Sequence, residues 1–273
     1  MILLLTGIFA RITSNSSLNV FQKKLTNLGY SPSVINFYTY LGLSSICILL
    51  IPFLKLCFSA EFFINFFTMG LLGCLGNYFI IKALSQGELS SVAPINSYKP
   101  IIAMIIAFLY LKEVPSILAI IGIFLIILGT ILIYDSVKYN KTAVFYRVLA
   151  LIFSGAEAVF IKKIILLTNI PTSFLLWSLS GLIFTCLFVN FKEKINPPVF
   201  KYQSLLVLLV AVMQYSTNFV FSKINVSYAL ALFQLSTLLS VFLGINIFHE
   251  TGLKRKVISS LIMIAGAVVI ILN

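Results

Sequence analysis

Arg11, Lys99 and Glu157 are ionisable side chains set deep inside long apolar runs. A charge at the centre of a bilayer costs about 2.5–3.5 kcal/mol on insertion scales, so it requires a partner, a cavity or a function. If Glu157 neutralises one cation, the other remains for an anionic group on a solute: an organic or amino-acid carboxylate, or a phosphate ester. The competing reading is structural, with Lys99 and Glu157 locking helices together and Arg11 reaching an interface along its aliphatic stem. Glu157 is also the best proton carrier available to a proton-coupled process, and a facilitator without a coupling ion remains the alternative.

Polar residues cluster near these charges. Thr13 to Asn19 holds six polar residues in seven, a run that must bury against other helices or line water. Arg11, Ser14, Asn15 and Leu18 share one face at helical spacing. Asn77, Tyr78, Gln214, Tyr215 and Gln234 are further mid-span polar groups, suited either to a solute or to one another. Pro94 and Pro100 each remove a backbone N–H and free a carbonyl around Lys99; interrupted helices of this kind mark binding sites in transporters. Gly70, Gly73 and Gly76 read as close-packing positions. Glu113 and Glu250 read as anchors or caps at helix ends.

The elements that position these groups follow from composition. The 273 residues are 60% hydrophobic and 10% charged, with a mean hydropathy of +1.11. Ordinary soluble domains carry about 25% charge, so this chain is an all-α polytopic membrane protein. Its net charge of +12 is scattered between apolar runs rather than gathered on one face, which argues against nucleic-acid binding. Ten runs are long enough to span: 2–22, 33–54, 62–81, 91–111, 115–134, 144–161, 173–190, 203–222, 226–247 and 257–272. The start at Met1 to Leu5 lacks the basic flank of a signal peptide, so the first run reads as retained. Cys47, Cys57, Cys74 and Cys186 lack metal-ligand spacing and read as packing residues.

The chain also repeats itself. A shift of 139 places Lys23, Lys24 and Pro32 on Lys162, Lys163 and Pro171. A shift of 137 places Asn77-Tyr78 on Gln214-Tyr215, Glu113 on Glu250 and Gly129 on Gly266. The change of offset implies a two-residue deletion between the second and third helices of the second half. The halves divide as 1–138 and 139–273, each with five helices, and an odd number of crossings inverts the second. The deep charges break the symmetry, since Ala150, Ser236 and Leu18 occupy their counterparts' places. Loops on the side of the termini hold five Lys and Arg against twelve opposite, Arg147 among the twelve; positive-inside logic puts both termini outside.

Ala83-Leu84-Ser85, Val92-Ala93-Pro94, Pro100, Glu113, Gly122 and Gly129 resemble the third-to-fifth-helix signature of EamA-type transporters of the drug/metabolite transporter superfamily. Asn19 to Lys24 resembles the family's opening helix, and Glu250 and Gly266 close a fainter second copy in which Ser259 replaces a glycine. The resemblance implies ten helices as two inverted repeats around a central cavity, and an exporter of small metabolites with both termini cytoplasmic, against the charge count. The expected setting is the bacterial cytoplasmic membrane, with the chain as monomer or homodimer and no cofactor or metal.

Enzyme chemistry has little to work with. The one histidine is His249, and of the seven acids (Glu61, Glu88, Glu113, Asp135, Glu157, Glu193 and Glu250) only Glu157 is deep, so no buried dyad, triad or nucleotide loop is formed. The expected activity is secondary transport of a small anionic or zwitterionic solute by alternating access. The alternative is a lipid-headgroup flippase or channel-like facilitator on the same fold.

Overall fold

The computed structural model describes residues 2–56, 58–87, 93–133, 140–192, 197–236, 239 and 253–272. Among them are ten α-helices: α1 (Ile2–Asn27), α2 (Pro32–Cys47), α3 (Ala60–Gln86), α4 (Lys99–Tyr110), α5 (Ile117–Ile133), α6 (Lys141–Leu167), α7 (Ile170–Cys186), α8 (Pro197–Phe221), α9 (Val226–Phe233) and α10 (Leu253–Ile271). Short 3-10 segments continue α2 (Ile48–Phe53) and precede α4 (Ala93–Tyr98).

Four segments are long and apolar enough to cross a membrane: Pro32–Phe53, Ala60–Gln86, Lys141–Leu167 and Val199–Phe221. Large apolar side chains such as Phe9, Phe124, Phe145, Ile183 and Leu261 face outward, an arrangement that suits lipid rather than water. α1 has the length of a span, and its polar run lowers its mean hydropathy.

Local chemistry sets the helix ends. Pro32 opens α2 at a first-turn position, where a missing N–H has no bond to lose. Asn140 caps α6 through Thr142 N and Ala143 N while donating to Gln86 O at the end of α3 (2.7 Å). Asn169 caps α7 and donates to Phe53 O at 2.9 Å. Each cap thus ties one half of the chain to the other.

The packing is two-fold in pattern. Exchanging each helix for the one five places along maps the α1–α8 contact onto α6–α3, and the α2–α7, α4–α9 and α5–α10 contacts onto themselves. The offset change has its place too: 12 residues (48–59) join α2 to α3, whereas 10 (187–196) join α7 to α8. α5 and α10 run antiparallel, with Gly122 against Gly266 O and Gly129 against Ser259 O. The absent side chains let the two backbones touch.

The fourth helix is broken in both halves. α4 begins only at Lys99, after the 3-10 segment, with Pro100 in its first turn. Within the run 91–111 the described residues thus form two pieces, and the interruption falls at Pro94 and Pro100, where the sequence places it. α9 ends at Phe233 and turns through Gln234 and Leu235 without a proline, where a span over 226–247 was expected. A shift of 137 sets the second break on residues 96–99. Glu250 and His249 lie outside the described residues, as does Glu88.

Candidate functional site

The two breaks face each other at the interface between the halves, where a cavity of about 100 Å3 opens. α1 contributes Arg11, Asn15, Leu18, Asn19 and Gln22, a face repeating every three or four residues. Asn77 comes from α3, Asn96 and Lys99 from the first break, and Arg147, Ser154 and Glu157 from α6. Trp177 of α7, Gln214 of α8 and Leu230 of α9 complete the polar and apolar walls.

The polar run of α1 divides its work. Asn15 Nδ2 donates to Ser236 Oγ (3.1 Å), and Ser16 Oγ donates to Ser236 O (2.8 Å), so α1 satisfies backbone freed at the break after α9. Thr13 and Ser17 donate to carbonyls within their own helix. Asn96 Nδ2 donates to Gln234 Oε1 (3.4 Å), joining the two breaks directly.

Glu157 is 7% exposed, and its Oε1 accepts from Trp177 Nε1 at 2.5 Å. The Trp177 ring rests on Tyr40 with centroids 5.0 Å apart, and the Tyr40 hydroxyl accepts from Asn77 Nδ2. Four helices therefore fix this carboxylate. Lys99 shares the cavity wall with Glu157, Arg11 and Arg147 and interacts electrostatically with each. The guanidinium of Arg11 lies over the Phe233 ring, 4.9 Å from its centroid.

The cavity gathers some of the positions expected from sequence and not others. Arg11, Asn15, Asn77, Lys99, Glu157 and Gln214 line it. Ser14 is buried and spends its hydroxyl on Ala10 O (2.6 Å). Tyr78 turns away, one residue being about 100° around a helix, and meets Phe79 and Lys82. Tyr215 is 40% exposed and packs its ring on Phe174. Gln234 stands behind the lining, holding Asn96. Pro100 is buried at the start of α4, and Pro94 lies in the 3-10 segment.

One expectation is corrected outright. Arg147 was counted with the loop cations, yet it is 8% exposed, lies in the second turn of α6 and lines the cavity. The opposite-side loop count falls by one accordingly. Among the described residues the lining carries three cations and one carboxylate. Trp177 and Asn96 also line the cavity without a clear sequence signal: a mid-helix tryptophan reads as packing, and Asn96 sits between two prolines whose own signal is the stronger.

A polar cluster beside the lining residues Ile161 and Leu230 joins the halves. Lys162 Nζ pairs with Glu113 Oε1 (2.5 Å) and donates to Ile224 O (2.9 Å); Glu113 Oε2 accepts from Val226 N (2.9 Å). Ser116 N donates to the Tyr228 hydroxyl (2.8 Å) beside it. Lys112, with φ 58°, turns the chain so that Glu113 faces back toward α6.

The fold is thus two interlocked helical halves with a polar cavity where their broken helices meet. A model of the EamA-like transporter family matches residues 2–135 and again 141–272, and the chain belongs to that family. It is therefore a membrane transporter of the drug/metabolite transporter superfamily. No curated protein matches it. A solved structure titled "Crystal structure of protein" is similar over 98% of this chain and 94% of its own length, with TM-score 0.74 and 12% identity; that likeness shows the fold.

Proposed function

We propose that the chain is a secondary transporter of small polar metabolites, anionic or zwitterionic, such as organic acids or amino acids. It works by alternating access with ten membrane crossings, and export across a bacterial cytoplasmic membrane is the favoured direction. The observation that carries this reading is the charged cavity at the interface of the two halves, with Arg11, Lys99, Arg147 and Glu157 on its wall. Fixed charge away from lipid and between inverted repeats is where transporters place substrate sites. At about 100 Å3 the space lies below the range of drug-sized pockets, which supports a small solute.

Solute counterflow in proteoliposomes tests the proposal, using labelled amino acids, organic acids, sugars and phosphate esters. Exchange of an anionic or zwitterionic solute supports it. Folded protein that exchanges none of them overturns it.

A further inference from the structure

We infer that Arg11 is the specificity-determining residue of this cavity: its guanidinium binds the carboxylate or phosphate oxygens of the transported solute. The inference rests on the transporter reading above and narrows its substrate class to solutes bearing an oxyanion.

The cavity's charges are not equivalent. Glu157 already holds a hydrogen bond from Trp177, and Lys99 is the cation that acts on it most strongly. Arg11 forms no ion pair among the described residues. Its Nε and Nη1 are buried, and neither has a hydrogen-bond partner in the protein. Unsatisfied donors on a buried cation are costly, so a chain that keeps them there has a use for them. What Arg11 does have is a fixed place: its Cζ lies over the Phe233 ring, 4.9 Å from the centroid, and Asn15 stands one turn away on the same wall. A cation held by a ring face is anchored without spending its N–H donors, which stay available to a ligand. Two parallel N–H donors match a carboxylate or a phosphate, whereas a lysine ammonium offers only a point charge.

The placement also explains the deep break in the second half. Phe233 is the last residue of α9, and Ser236 beyond the turn is held by Asn15 and Ser16 of α1. The helix carrying the guanidinium and the break carrying its ring are thus fastened together across the two halves. A solute bound to Arg11 sits where the two halves meet, the place at which inverted-repeat transporters bind their cargo.

The test compares each acid with its carboxamide, and each phosphate monoester with its parent alcohol, as inhibitors of counterflow by the intact protein. The expected result is preference for the charged member by roughly tenfold or more. Arg11→Lys should keep the fold, measured by thermal unfolding, and lose most of that preference. A parent protein that accepts amides and alcohols equally well, or an Arg11→Lys variant matching the parent, overturns the inference and leaves the carrier reading standing. Absence of exchange by folded parent protein overturns both. A parallel assay with a labelled phospholipid separates the sources of the oxyanion. Inhibition of counterflow by soluble glycerol phosphate without lipid movement supports a free solute; lipid movement that soluble anions do not inhibit overturns the inference.

Discussion

Gly73 and Glu157 share one space: a Cβ placed on Gly73 of α3 would fall onto Oε1 of Glu157 on α6. The glycine is therefore the floor on which the cavity's carboxylate rests. Its neighbours in the repeating triplet have other tasks. Gly70 faces the Ser180 side chain, and a Cβ placed on Gly76 would meet Ser154 Cβ at 3.2 Å.

Gly73→Ala should accordingly displace the carboxylate from Trp177 and reduce solute exchange tenfold or more, with a stability loss of about 1–3 kcal/mol. Gly76→Ala meets a gentler contact and should retain most exchange. Counterflow and thermal unfolding of the two variants side by side check the contrast. Equal losses in both would mean that Gly73 serves packing alone.

Much of the architecture was legible from the sequence for a simple reason. Lipid demands long apolar runs, and duplication leaves offsets, so α1 to α10 and their two-fold arrangement followed from run lengths and from the shifts of 139 and 137. Asn77 and Gln214, paired by one shift, both stand on the cavity. Arg147 was hidden because it stands at the start of the run 144–161, next to the polar stretch around Lys138 and Lys141, and so counts with the loop cations. The break after Phe233 was hidden because no proline marks it; its backbone is satisfied by Ser16, a contact 220 residues away in the chain. Sequence spacing along one helix carries no information about such partners.

Glu157→Gln and Lys99→Ala should each abolish exchange without preventing insertion, because each leaves the opposite charge buried without its main counter-charge. A double variant, Lys99→Ala with Glu157→Gln, should recover stability relative to the singles. A double-mutant cycle by thermal unfolding should then give a coupling of about 0.5–3 kcal/mol. Additive losses would show that the two groups act independently.

Trp177→Phe keeps a ring against Tyr40 and removes the N–H that Glu157 accepts. Leaving that buried acceptor short of a donor should cost about 1–3 kcal/mol and impair exchange. Trp177→Phe with parent-like stability and rate would argue that Glu157 is held elsewhere.

Glu113 binds Lys162 and Val226 N across the two halves, with both side chains of the pair only 10–12% exposed. Glu113→Ala should loosen the halves there and widen access to the cavity. A cysteine replacing Leu230, a lining residue of α9, should then react several-fold faster with an impermeant maleimide in an otherwise cysteine-free chain. An unchanged labelling rate would show that the pair does not limit access to the cavity.

The crossing of α5 and α10 has a consequence for ancestry. Under the offset of 137, Gly122 answers to Ser259 and Gly129 to Gly266, so the contact of Gly122 with Gly266 and that of Gly129 with Ser259 are two copies of one contact. A self-mapping interface is what two separate five-helix chains would build on meeting as an isologous two-fold dimer. In such a dimer a glycine-to-serine change would strike both crossings together. Once the halves are joined in one polypeptide each crossing can drift alone, and Ser259 opposite Gly129 is the mark of that freedom.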